Sequence, residues 1–178
     1  MIEMMRKRSV KIMADKILGV LKAICQSTTP GKKMVQKLMY LIERKGIDLG
    51  LDYRIHFYGP YSSDLDHFLR FYESENILEI DTTGVTHKIK MISNLNENYL
   101  STHEEKVVKD IIEKYSHRSP LELEALTTTD FVACELMEDN ELSIDNIICN
   151  VKRIKGSKFS KQEILECIND LKENGFIN

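Results

Sequence analysis

The chain has 178 residues, of which 42% are hydrophobic and 30% charged, and its formal net charge is -3 at pH 7. This composition does not indicate intrinsic disorder and is enough for one domain with a hydrophobic core, or a core with a helical appendage. No long apolar run occurs and basic residues interrupt the N-terminal stretch, so we expect no signal peptide, no membrane span and a cytoplasmic protein.

The charge is distributed unevenly along the chain. Residues 1–45 contain eleven Lys or Arg against three Asp or Glu, so the remainder is acidic. This asymmetry suits either a charged partner at one end or ordinary solvated helix faces. The cysteines are far apart and form no Cys-x-x-Cys pair, which predicts reduced thiols packed in helices: Cys25, Cys134, Cys149 and Cys167.

Two helices are expected at the start of the chain. Apolar residues recur at helical spacing across residues 10–26, and Thr28-Thr29-Pro30-Gly31 ends this run. A second apolar stripe lies within residues 34–42, and Gly46 ends it. The pair is compatible with a helix-turn-helix geometry.

A strand, a sharp bend and a third helix follow. Residues 53–57 alternate aromatic or aliphatic with polar side chains, as a half-buried strand does. Gly59-Pro60 is expected to end this strand, because proline cannot donate to a ladder and glycine adopts conformations closed to other residues. Ser62 or Ser63 then supplies the N-cap of a helix whose apolar stripe begins at Leu65.

The predicted order of helix, helix, strand, helix and hairpin is close to that of a winged helix. The hairpin consists of residues 77–81 and 86–92 around Gly84, and it would be the wing. We therefore predict an α+β fold, mainly α, in which residues 1–92 form a winged-helix-like half.

Three capping boxes predict that the rest of the chain is helical. In each, a serine is followed three residues later by a glutamate. The pairs are Ser101 with Glu104, Ser119 with Glu122, and Ser160 with Glu163. Residues 93–100 best fit a linker, and residues 93–178 are predicted to be a helical half that packs on the first as one compact unit.

One sequence pattern joins the second helix to the bend. Lys37-Leu38-Met39-Tyr40-Leu41 has a Lys-Leu-x-Tyr core, Tyr58-Gly59-Pro60 ends the next strand, and Leu65 is a looser match. In these residues the chain resembles the Panacea (SocA-like) antitoxin domain family, in which a Lys-Leu-x-x-Leu-x-Tyr helix precedes a strand ending in Tyr-Gly-Pro. The resemblance implies an antitoxin or adaptor that binds and neutralises or delivers a partner protein, such as a toxin encoded nearby.

The residues of the bend are the predicted partner-binding site: Tyr58, Gly59, Pro60 and Tyr61. The two tyrosines can form a rigid contact surface at low entropy cost, or they can anchor the bend to the core. The histidines stand singly, and neither a phosphate-binding glycine loop nor a nucleophile elbow occurs. We expect a non-enzymatic protein without cofactor or metal.

The alternative is a winged-helix DNA-binding transcription regulator. Its candidate nucleic-acid contacts are Lys32, Lys33, Lys37, Arg54, Lys88 and Lys90. The third helix, which in winged helices commonly enters the major groove, is acidic here and would repel phosphates. DNA binding is therefore disfavoured, and the sequence indicates no particular oligomeric state.

Overall fold

The computed structural model describes residues 2–93 and 99–178, with the side chains of residues 2–10 outside the description. Within these ranges the chain forms seven helices and two short antiparallel hairpins. In chain order they are α1 (Ile2–Ser27), α2 (Lys32–Arg44), β1 (Arg54–His56), β2 (Gly59–Tyr61), α3 (Ser63–Ser74), β3 (Leu78–Asp81), β4 (Lys88–Met91), α4 (Thr102–Tyr115), α5 (Pro120–Glu138), α6 (Ile144–Lys155) and α7 (Lys161–Glu173).

Chain contacts divide the protein into two units, and the first comprises residues 1–53 and 62–117. In this unit α4 packs against both α1 and α2. The packed faces carry fully buried aliphatic side chains, for example Ile17 of α1 and Leu38 of α2. The hydroxyl of Tyr72 in α3 donates a 2.6 Å hydrogen bond to the carbonyl of Ala14, and this bond ties α3 to α1.

The β3–β4 hairpin of the first unit is attached to the segment that precedes α2. Its register pairs Leu78 with Met91, Glu79 with Lys90, Ile80 with Ile89 and Asp81 with Lys88. The N–H of Ile89 also donates to the carbonyl of Pro30 at 2.8 Å. A Cβ at Gly31 would lie 2.4 Å from Cγ2 of Thr86, so the close approach of these two segments requires glycine.

The second unit comprises residues 54–61 and 118–178 and is organised around α5. Helices α6 and α7 and strand β2 all pack against α5. Residues 123–130 of this helix are buried without interruption, although several of them are polar. The hydroxyls of Thr127 and Thr129 donate to carbonyls four residues earlier, at 2.7 and 2.8 Å, which pairs them inside the helix.

The prediction of a mainly helical fold with a small amount of strand is confirmed, and so are the capping boxes. At the start of α4, α5 and α7, the serine side chain accepts from the glutamate N–H and the glutamate side chain accepts from the serine N–H. Helix α1 begins at Ile2, earlier than predicted. The basic residues that interrupt its apolar stripe are strong helix formers and do not end a helix.

The predicted division into residues 1–92 and 93–178, packed as one compact unit, stays a prediction. Helix α4 lies in the first unit because it packs on α1 and α2, and residues 54–61 lie in the second because β2 packs on α5. Of the predicted linker, residues 94–98 lie outside the described ranges. The winged-helix likeness stays a prediction.

Two predictions from composition concern the environment of the protein. None of the helices in the described ranges has the length and apolarity that a membrane crossing requires. In the part of the chain that the structure describes, which includes all four cysteines, no disulfide forms; Cys25, Cys134 and Cys167 are half-buried, but Cys149 is exposed rather than packed. Burial raises the pKa of the Cys25 and Cys167 thiols to about 11, so both remain protonated at neutral pH.

The capping box of α4 includes an ion pair that makes stability depend on pH. Nζ of Lys16 lies 2.7 Å from Oε1 of Glu104. The hydrogen bond from Lys16, together with that from the N–H of Ser101, lowers the pKa of Glu104 from 4.5 to about 2, although partial burial opposes the shift. A carboxyl with a lowered folded-state pKa stabilises above its unfolded pKa. The contribution of the Glu104 carboxylate to the free energy of unfolding is therefore complete above about pH 4.5 and is lost as the pH falls towards 2.

Glu104→Gln keeps an N3 side chain that can cap, and it removes the charge. We expect it to lower the free energy of unfolding by about 1 kcal/mol at neutral pH, and by progressively less as the medium becomes acidic. Urea unfolding at a series of pH values measures this difference. Glu163→Gln, at the same position of the α7 capping box, is the matched control. If the stability loss of Glu104→Gln does not change with pH, the Lys16–Glu104 ion pair is not the source of the pH dependence.

Candidate functional site

The bend predicted at Gly59-Pro60 is a complete two-stranded hairpin. Strands β1 and β2 pair antiparallel, with Arg54 opposite Tyr61, Ile55 opposite Pro60 and His56 opposite Gly59. The first strand ends before Gly59-Pro60, as predicted, but these two residues do not form only a bend: after a two-residue loop, Phe57-Tyr58, they pair with β1 as strand β2. Proline is accommodated because each strand of a two-stranded hairpin has an outer edge that needs no N–H donor.

Gly59 permits the tight return of the chain. Its φ is +86°, a left-handed conformation that residues with a Cβ rarely adopt. On the C-terminal side of the hairpin, Ser62 caps α3 by accepting from the N–H of Leu65 at 3.3 Å. The β1–β2 hairpin therefore leads directly into the N-cap of α3.

Gly59→Val is expected to lower the free energy of unfolding by about 1 to 3 kcal/mol through backbone strain. Denaturant unfolding measures the loss. Gly84→Val is the matched control, because Gly84 is exposed and does not have a positive φ, so its substitution should change stability by less than about 0.5 kcal/mol. Equal effects of the two substitutions would contradict the explanation by strain.

The hairpin loop presents two aromatic rings on the surface. Phe57 is 73% exposed and Tyr58 is 42% exposed. Their rings meet edge to face with centroids 4.9 Å apart. Tyr61 is half-buried, and its ring lies 5.4 Å from that of His56. Sequence reasoning missed Phe57 as a surface residue because it was assigned to the buried alternation of a strand, whereas it lies in the loop.

A cluster of three charged residues, Glu124, Lys155 and Lys158, packs against the hairpin loop. Nζ of Lys155 donates to the carbonyl of Phe57 at 2.7 Å and to Oε1 of Glu124 at 2.9 Å. Nζ of Lys158 donates to both carboxylate oxygens of Glu124, at 2.7 and 2.8 Å. The loop backbone is thereby fixed to α5 through a lysine side chain that is only 4% exposed.

The charge cluster also touches the aromatic rings of the loop. Nζ of Lys158 lies 5.7 Å from the centroid of Phe57 and 5.6 Å from that of Tyr58, which is within cation-π range. Burial by itself would raise the pKa of Glu124, but the hydrogen bonds from Lys158 and Lys155 hold it below its usual value. Glu124 is therefore ionised at neutral pH, and Lys158 contacts both its carboxylate and the two rings.

We call Phe57, Tyr58 and the three charged residues beneath them the hairpin-tip site. Of the four residues predicted for partner contact, Tyr58 supplies an exposed ring, whereas Gly59 and Pro60 are buried and shape the backbone. Glu124, Lys155 and Lys158 gave no sequence signal, because residues more than thirty positions apart converge only through the packing of α6 on α5.

The residues considered for nucleic-acid contact have different environments. Lys33, Arg54, Lys88 and Lys90 are exposed. Lys37 is 3% exposed, so its ammonium is not available to a phosphate. Nζ of Lys32 lies 2.6 Å from Oδ1 of Asp66, and the other carboxylate oxygen, Oδ2, accepts from Nε of Arg70 at 2.9 Å. Lys32 and Lys37 are therefore poorly placed to contact a phosphate.

The part of the chain that the structure describes contains no group of three or more His, Cys, Asp and Glu side chains arranged to hold a metal ion. Asp66 and its neighbours at the start of α3 resemble an acid/base cluster in sequence, but the pKa of Asp66 is lowered by Lys32 and Arg70 despite partial burial. This carboxylate therefore serves an ion pair and the N-terminal turn of α3.

A family model described as "Antitoxin SocA-like, Panacea domain" matches residues 35–130, which is more than half of the chain. The chain belongs to this family. No curated protein matches this chain. The match confirms the resemblance seen in the Lys-Leu-x-Tyr and Tyr-Gly-Pro motifs. The Panacea region begins in α2 and ends in α5, so it includes the hairpin loop and Glu124, whereas Lys155 and Lys158 lie outside it.

Proposed function

We propose that this Panacea-domain protein is a non-enzymatic interaction module that binds a partner protein through the hairpin-tip site. Its family is described as antitoxin-like, so the partner we propose is a toxin encoded nearby, which the protein neutralises or delivers as an adaptor. The proposed place of action is the cytoplasm, which keeps cysteines reduced. The observation that carries the proposal is the exposed ring pair of Phe57 and Tyr58 next to the buried ion pair of Glu124 and Lys155.

The hairpin tip has the properties of an interface hot spot. Aromatic side chains provide a large contact area and lose little conformational entropy on binding. Lys155 fixes the loop backbone and Lys158 contacts both rings, so the surface is ordered before the partner arrives. Gly59 and Pro60 give the loop its shape, and Tyr61 is placed at its half-buried base.

DNA-binding regulation stays the alternative prediction, and no specific contact favours it. Lys37 is buried and Lys32 is paired with Asp66. The exposed face of α3 retains the acidic residues that oppose phosphate binding.

The proposal predicts that Tyr58→Ala and Phe57→Ala each weaken partner binding by about 2 kcal/mol, roughly thirty-fold in Kd, with melting temperatures within a few degrees of wild type. The partner is obtained by affinity purification from the native host or by co-expression of the neighbouring reading frame, and binding is measured by calorimetry. Rescue of growth in cells that express the neighbouring toxin reports neutralisation in parallel.

Phe71→Ala is the matched control, because Phe71 is a 52% exposed ring on α3 outside the hairpin tip. It should bind the partner as the wild type does. The proposal fails if both hairpin-tip variants bind at full strength, or if Phe71→Ala weakens binding as much as they do.

A further inference from the structure

A small cleft lies beside the C-terminal end of α2 in the first unit, and its volume is about 340 Å³. The residues that line it are Tyr40, Glu43, Arg44, Gly46, Leu51 and Tyr53. The rings of Tyr40 and Tyr53 meet edge to face, with centroids 5.1 Å apart and planes at 77°. Two aromatic walls therefore stand nearly at right angles, with a carboxyl group beside them. None of these residues belongs to the hairpin-tip site.

Two polar atoms of the cleft residues are enclosed and have no hydrogen-bond partner among the residues that the structure describes. They are Oε2 of Glu43 and the hydroxyl of Tyr53. The other carboxylate oxygen, Oε1 of Glu43, accepts a 3.1 Å hydrogen bond from the N–H of Leu51, which fixes the carboxyl group in place. Buried polar atoms in folded proteins are nearly always paired. Two unpaired acceptors that belong to one cleft therefore point to a ligand that donates hydrogen bonds.

The electrostatics of the cleft favour a positive charge. Burial raises the pKa of Glu43 and nearby Asp48 adds to the increase, although the backbone N–H groups of Leu51, Leu49 and Gly50 oppose it. Burial together with the charge of Glu43 also raises the pKa of Tyr53. Burial is the largest cause of both shifts, so these groups are poorly hydrated, and a bound cation would lower the cost of ionising Glu43. Arg44 is the single cation among the six lining residues.

We propose that this cleft binds an alkylammonium or alkylguanidinium group between Tyr40, Glu43 and Tyr53. The N–H groups of such a cation donate to the Glu43 carboxylate and the Tyr53 hydroxyl, and the two ring faces attract its charge. The volume suits one head group with its alkyl stem. The same group is carried by a lysine or arginine side chain of a partner protein and by a free alkylamine.

The test is an NMR titration of the full chain with n-butylammonium and n-butylguanidinium, with 1-butanol as the neutral control. We expect saturable shifts of the Tyr40 and Tyr53 ring protons, millimolar Kd values for the cations and no response to butanol. Glu43→Gln should weaken cation binding at least about ten-fold. Absence of binding by both cations, equal binding of butanol, or unchanged binding by Glu43→Gln overturns the proposal.

Tyr53→Phe separates a ligand-binding role of the hydroxyl from a structural one. Because the hydroxyl is enclosed and unpaired, its removal should leave the melting temperature unchanged or raise it, while cation binding weakens. A lower melting temperature with unchanged binding would overturn the role of this hydroxyl. Tyr58→Ala should retain full cation binding, so a failure of the hairpin-tip proposal leaves this test intact.

The source of the cation is decided by a second titration with capped pentapeptides that carry one central lysine or arginine. Tighter binding of a peptide than of the corresponding butyl compound assigns the cleft to a protein side chain. Tighter binding of the free butyl compound assigns it to a small amine. Either result supports the cation site, and failure of peptides and butyl compounds alike overturns it.

Discussion

Glu124→Leu is expected to lower the free energy of unfolding by about 3 to 5 kcal/mol, because it leaves the charge of Lys155 buried without its counter-ion. The two side chains are 4% and 5% exposed and their charged atoms lie 2.9 Å apart. Lys155 would keep only carbonyl acceptors in the hairpin loop, which do not neutralise it. Urea unfolding followed by circular dichroism measures the loss.

The control for this prediction lies in the same helix. Glu138 is exposed at the end of α5, and Glu138→Leu should change stability by less than about 0.5 kcal/mol. The double variant Glu124→Leu with Lys155→Met removes both buried charges, so it should recover much of the loss. If Glu124→Leu costs no more than Glu138→Leu, the ion cluster does not hold the hairpin loop in place.

Gln36→Met is expected to lower the free energy of unfolding by about 2 to 4 kcal/mol, because it removes two buried hydrogen bonds from one backbone position. The Gln36 amide nitrogen donates to the carbonyl of Ser62, and the Ser62 N–H donates to the amide oxygen of Gln36, each at 2.9 Å. Gln36 is 4% exposed and Ser62 is fully buried, so water cannot replace the lost partner. Ser62 is also the N-cap of α3.

Methionine has nearly the volume of glutamine, so the measured loss reports hydrogen bonding rather than a cavity. Gln26 on α1 is exposed, and Gln26→Met is the matched control, expected to change stability by less than about 0.5 kcal/mol. Thermal melts and denaturant unfolding both measure the difference. Similar stability of the two variants would show that the Ser62 backbone finds other partners.

The hairpin shows how far local sequence reasoning reaches at the candidate site. The alternation at residues 53–57 indicated a strand, and Gly59 has the left-handed conformation that glycine permits. The strand formed by Gly59–Tyr61 was missed because proline and glycine normally mark the end of a ladder. The alternation also placed Phe57 in the first strand rather than in the loop, so the most exposed ring of the hairpin tip was overlooked.

The sequence by itself determined the helices, their capping boxes, the β3–β4 hairpin and the family, because these depend on residues close together in the chain. Tertiary structure alone decided which charged side chains are buried and which residues they contact. The pairing of Glu124 with Lys155 and Lys158 arises from α6 packing on α5, and the Gln36–Ser62 contact joins α2 to the start of α3. Such contacts follow from helix packing, which periodicity and caps do not specify.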